Sequence, residues 1–120
     1  MNTKQDFYID YSYQNNVCIL KLNGFLDAHT YTILEEQLKK CINNSFYNIL
    51  LDLDNLTYLS SAGLGAFMMH LETIRIKNGD IILMNLSTSI SEIINMLHFN
   101  EIFKIVNNKE EAFLIFEHKQ

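Results

Sequence analysis

The chain reads as an α/β protein: a mixed, mostly parallel sheet that begins with an antiparallel hairpin, in the order β-β-α-β-α-β-α-β-α. Three observations lead there. Short apolar or alternating runs of strand character are interleaved, after the first two, with longer runs of helical period. An Asn-rich turn, Gln14-Asn15-Asn16, separates the first two strand-like runs. The run Ile49 to Leu53 is nearly all apolar, as expected of a central strand covered on both faces.

Each element has its own warrant. Tyr8 to Tyr13 alternates aromatic or Ile residues with polar ones, the pattern of a half-buried strand. Val17 to Leu22 is the second strand, joined to the first by turn chemistry and closed by Gly24. Asp27 is an expected helix N-cap. Tyr31, Leu34, Leu38, Cys41 and Ile42 form the apolar stripe of the first helix, with Glu35/Lys39 and Glu36/Lys40 as supporting pairs on its exposed side. The central strand follows, and a second helix is expected from Ser61 to near Gly79. Ile81 to Met84 is the fourth strand. Ser89 with Glu92 matches a capping box for a third helix carrying Ile90, Ile93, Ile94 and Leu97. Phe103 to Val106 is a short fifth strand, and Asn108 with Glu111 opens a last helix. The later strands, each separated from the next by a helix, should be parallel with right-handed crossovers.

Composition narrows the function. At 120 residues, 48% apolar, the chain is expected to form one domain spanning 1–120 with a real core. Its net charge of −5, with no basic cluster beyond Lys39-Lys40, argues against nucleic acid as a partner. No apolar run has the length of a membrane span, and the N-terminus, Met-Asn-Thr-Lys-Gln-Asp, does not resemble a signal peptide. The expected location is therefore the cytoplasm, with no membrane partner. Cys18 and Cys41 have no metal-ligand spacing and read as buried free thiols, and no cofactor motif is present.

The most informative stretch is Leu56-Thr-Tyr-Leu-Ser-Ser-Ala-Gly-Leu-Gly65. Two serines sit where an extended segment turns into a helix. The first turn of a helix has unpaired N–H groups and partial positive charge, so an added phosphate would be stabilised there. One serine suffices for an N-cap, the role expected of Ser60. The other is free to act as a switch.

The element order and the segment Leu59-Ser60-Ser61-Ala62-Gly63-Leu64-Gly65 resemble the anti-sigma factor antagonist family, the STAS domain. Further likenesses are Gly24-Phe-Leu-Asp27, Leu51-Asp-Leu-Asp54 followed by Leu56, and the stretch over 92–113. The resemblance implies a regulator rather than an enzyme. Unphosphorylated, such an antagonist binds an anti-sigma factor that is also a serine kinase, and frees a sigma factor. Phosphorylated at the head of the second helix, it lets go until a serine phosphatase resets it. By position the phosphoacceptor maps to Ser61. The chain departs from the common Asp-Ser-Ser-Gly pattern, with Ser60 in place of the acid and Ala62 after the acceptor, which makes Ser60 the second choice.

Helical period adds a partner surface to this reading. Leu64, Phe67, Met68, Leu71 and Ile74 fall on one arc, expected to face the core. Ala62, Gly65, Ala66, Met69, Thr73 and Ile76 fall on the other. With Asp27, Ser60 and Gly63 near the helix head, Ala62, Gly65, Ala66, Met69 and Thr73 are the expected partner contacts. Two other readings stand beside this one. Ser61 as a nucleophile with His29 and Asp27 lacks the nucleophile elbow, and its acid and base lie too close in sequence to form a relay. A scaffold module of the same fold, never phosphorylated, shares every fold-level feature. Asp52 and Asp54 lack the further acidic pair that an aspartyl phosphoacceptor needs to hold magnesium.

Overall fold

The structure is a computed structural model and describes residues 7–118; the polar segment 1–6 lies outside them. Among the described residues five strands and five α-helices run in the order β1 (Phe7–Gln14), β2 (Val17–Leu26), α1 (Tyr31–Asn43), β3 (Asn48–Leu59), α2 (Ser61–Met68), α3 (Leu71–Ile76), β4 (Asp80–Met84), α4 (Thr88–Met96), β5 (Lys104–Val106) and α5 (Lys109–Glu117), with one 3-10 turn at Phe99–Glu101. The sheet order is β1-β2-β3-β4-β5; β1 is antiparallel to β2 and every other pair is parallel. The mixed sheet with its N-terminal hairpin is thus as expected.

Local chemistry explains the geometry of the hairpin. Asn15 and Asn16 both take positive φ, 54° and 65°, in the two-residue turn that Asn tolerates best among non-glycine residues. β2 does not end at Gly24. It continues to Leu26, with Gly24 at φ 102° and register shifts against β3 on either side of it. The glycine makes a bulge inside the strand instead of closing it. Asn23, buried beside it, ties three strands together: its Nδ2 donates to the Tyr8 carbonyl at 3.3 Å and its Oδ1 accepts from Asn55 Nδ2 at 2.8 Å.

Four other boundaries differ from the sequence reading. The N-cap position of α1 is Thr30, not Asp27, and the Thr30 hydroxyl donates to the Phe25 carbonyl instead of capping the helix. The Asp27 carboxylate accepts from the His29 N–H at 2.9 Å, so it shapes the turn before the helix. β3 runs six residues past Leu53, because Leu56 and Leu59 continue to bury on the sheet. The expected second helix is two, α2 and α3. At the break His70 leaves helical geometry and its Nε2 meets Glu35 Oε2 of α1 at 3.0 Å. α4 is capped by Ser87, whose Oγ accepts from the Ile90 N–H, and not by Ser89.

The core has two unequal layers. On one face of the sheet Leu20, Leu22, Ile49, Leu51, Leu53, Ile81 and Leu83 pack beneath α1, α2, α3 and α4. On the other, Val17, Ile19, Leu50, Ile82 and Met84 are covered by Ala112, Phe113 and Phe116 of α5. Cys18 and Cys41 are buried free thiols in the first layer. Their mutual hydrogen bond, with burial, raises the Cys41 thiol well above its usual range, so that proton stays on.

Candidate functional site at the head of α2

The site is built where β3 hands over to α2. Ser60 is extended, φ −95° and ψ 169°, and caps the helix: its Oγ accepts from the Gly63 N–H at 3.1 Å. Its own N–H donates to the Leu26 carbonyl at 3.0 Å. Gly63 lies against that same carbonyl, since a Cβ there would stand 2.4 Å from the Leu26 oxygen. The absent side chain is what lets the helix head seat on the end of β2. Asp27 follows Leu26 directly, so the Asp27 turn and the two serines are brought together.

Ser61 is the first residue of α2, exposed, and its hydroxyl makes no hydrogen bond among the described residues. The N–H groups of Ser61 and Ala62 have no acceptor further back in the helix. No acidic residue occupies the first turn of α2. The arrangement offers an exposed hydroxyl beside backbone donors with no carboxylate on its own helix to repel an anion.

The outer surface of α2 and α3 only partly follows the helical wheel. Ala62, Gly65, Met69 and Thr73 are exposed as expected, Met69 at 53% and Ile76 at 71%. Two expected partner contacts are not at the surface: Gly63 and Ala66 are both buried. Met68, expected in the core, is exposed. The break before Leu71 is the cause. The short α2 buries Gly63, Leu64, Ala66 and Phe67, a wider inner face than a single long helix would have. Met68 instead lines a groove of about 530 Å³ with Leu71, Glu72, Arg75 and Ile76.

Sequence reasoning missed Phe25. It sits opposite Tyr58 across β2 and β3, ring centroids 6.0 Å apart, and both rings are exposed. The alternation after the Gly24 bulge, Phe25 out and Leu26 in, was the available signal. The Asp27–His29 pair does not form a relay: the carboxylate is engaged by the His29 backbone N–H and the Thr30 hydroxyl. Among the described residues no group of three or more His, Cys, Asp or Glu is placed to hold a metal ion, and no helix is long and apolar enough to cross a membrane.

Comparison with known proteins places this geometry. An anti-sigma F factor antagonist of Paenibacillus polymyxa is 27% identical over 105 residues, covering 87% of this chain and 90% of that protein. The Thermotoga maritima protein TM1081 superposes with a TM-score of 0.84 at 20% identity, over 92% of this chain and 95% of that one. The Bacillus antagonist SpoIIAA shares the fold in its unphosphorylated form (TM-score 0.76, 16% identity, 95% and 99% covered). Its phosphorylated form does so too (TM-score 0.67, 16% identity, 91% and 98% covered). The family model of the STAS domain matches residues 8–112, nearly the whole sheet and its helices. The chain belongs to the STAS domain family.

Proposed function

We propose that the protein is an anti-sigma factor antagonist, not an enzyme, that works by partner switching with Ser61 as the phosphoacceptor. Unphosphorylated, it binds an anti-sigma factor that is also a serine kinase, and a sigma factor is freed. Phosphate on Ser61 releases it, and a serine phosphatase restores the binding form. The observation that carries the reading is the division of labour between adjacent hydroxyls: Ser60 caps α2 while Ser61 is exposed and makes no hydrogen bond among the described residues. Support also comes from the relative named as an anti-sigma F factor antagonist and from SpoIIAA, solved with and without phosphate.

The physics of release is local. Phosphate adds a charge of about −1.5 to −2 at a helix head that accommodates it. A partner fitted to a neutral hydroxyl then meets an unpaired charge, which costs binding by desolvation. Asp27, Ser60, Ala62, Gly65, Met69 and Thr73 surround or extend the contact, and Phe25, Tyr58 and Met68 enlarge its apolar part. Gly63 and Ala66 shape the site from beneath.

The test is incubation with candidate anti-sigma kinases and ATP, with the phosphate located by mass spectrometry. Phosphate is expected on Ser61, absent in Ser61→Ala and retained in Ser60→Ala. Kinase capture by Ser61→Asp is expected to fall about a hundredfold. Equal capture by Ser61→Asp and wild type would favour the scaffold reading instead.

A further inference from the structure

The two edges of the sheet are protected unequally. β5 is three residues long and carries Lys104, two features that discourage a neighbouring strand. β1 is eight residues long, pairs only with β2 among the described residues, and contains neither proline nor lysine. Its register with β2 is unbroken from Phe7 to Gln14, so no bulge twists it away. Its one charge is Asp10. Tyr8, Tyr11 and Tyr13 are exposed along it, Tyr11 at 58%.

We propose that β1 pairs antiparallel with β1 of a second copy of this chain, about a two-fold axis through Tyr11, to give a continuous ten-stranded sheet. The register follows from the hairpin. Residues flanking a two-residue turn exchange hydrogen bonds, so Gln14 and Val17 do, and the pattern alternates back along the strand. Ser12, Asp10 and Tyr8 therefore bond inward to β2, while Tyr13, Tyr11 and Ile9 present their peptide groups outward. A two-fold axis normal to the sheet keeps like faces together and leaves two good registers.

An axis at Asp10 sets the two Asp10 carboxylates opposite each other in a close, non-hydrogen-bonded pair, which is repulsive. An axis at Tyr11 pairs Tyr11 with Tyr11 and Ile9 with Tyr13 through the outward groups. It sets Asp10 opposite Ser12, an acceptor against a hydroxyl donor. Charge placement thus selects one register. The rings are already ordered for it: Tyr13 stacks on Phe46 at 4.7 Å, and Tyr11 meets Tyr13 edge-on at 6.1 Å. The net charge of −5 per chain opposes the pairing, so added salt should strengthen it. β1 carries none of the residues of the Ser61 surface, and the inference is independent of that function.

Sedimentation equilibrium with rising protein concentration tests the proposal. A dimer is expected for wild type, tighter at high salt, and Tyr11→Lys should raise its dissociation constant at least tenfold by placing two ammonium groups at the axis. Tyr11→Cys should form a covalent dimer under mild oxidant, since hydrogen-bonded antiparallel pairs have a Cα separation of about 5.5 Å, within disulfide reach. Lys39→Cys, on the exposed side of α1, should not. A wild type that stays monomeric at millimolar concentration overturns the proposal. So does a Tyr11→Lys dimer of unchanged affinity, or equal crosslinking of the two cysteine variants.

Discussion

The two sides of α2 are made from the same eight residues and answer to different demands. The inner side, Gly63, Leu64, Ala66 and Phe67, is closed: every position is buried, and even a methyl group at 63 would strike the backbone of β2. The outer side, Ser61, Ala62, Gly65 and Met68, is open; a Cβ at Gly65 would meet nothing within 4 Å. The two glycines are two positions apart and mean opposite things. At 63 the missing side chain is required by the fold. At 65 the fold has no use for its absence. The closed side holds one hydroxyl in position, and the open side leaves it accessible.

That contrast can be broken at five positions. Gly63→Ala should cost about 3 kcal/mol, because the clash is with a carbonyl oxygen and not with a flexible side-chain end. Urea denaturation measures it, and a cost below about 1 kcal/mol would mean the inner side is not closed. Met69→Glu should weaken capture of the anti-sigma partner at least tenfold, about 1.4 kcal/mol, with a native circular dichroism spectrum. Undiminished capture would remove the outer side from the interface.

The serines give a finer contrast. Ser60→Ala should cost about 1 kcal/mol of stability through loss of the cap. Ser61→Ala should change stability by less than about 0.5 kcal/mol. Equal costs from thermal melts would erase the distinction between cap and switch. Gly65→Ala is the subtlest. It should stabilise the fold by about 0.5 to 1 kcal/mol, since alanine is the better helix former and the space is free. In partner titrations the same variant should bind more weakly if the partner backbone approaches here, and unchanged binding would leave Gly65 without a functional account.

Much of this was legible in the sequence, for identifiable reasons. The strands and helices carried clear periods, and Asn15-Asn16 announced the hairpin turn. The exposed Ser61 beside a capping Ser60 followed from the order strand, serine pair, helix. The misses have a common physical source, which is long-range packing overriding local signals. The apolar run of the third strand stops at Leu53, yet Leu56 and Leu59 find a buried surface on β2 and α1's layer, and β3 extends to meet it. Gly24 reads as a terminator, but a bulge lets β2 follow β3 to its end. Nothing near Met69-His70 marks a helix break, because one of its contacts, Glu35, lies on another helix. That break moved Met68 outward and Ala66 inward, which is why the helical wheel was right for most of the surface and wrong for those two.

Strand order equal to chain order bears on how the molecule is made. As the polypeptide leaves the ribosome, each new strand after the first docks on one already synthesised, and none waits for a later piece. Among the described helices only α5, Lys109–Glu117, must go to the opposite face, and it is made after all five strands. Until it arrives, Val17, Ile19, Leu50 and Ile82 face water, so the turns of α5 decide when this face of a nascent molecule stops being sticky.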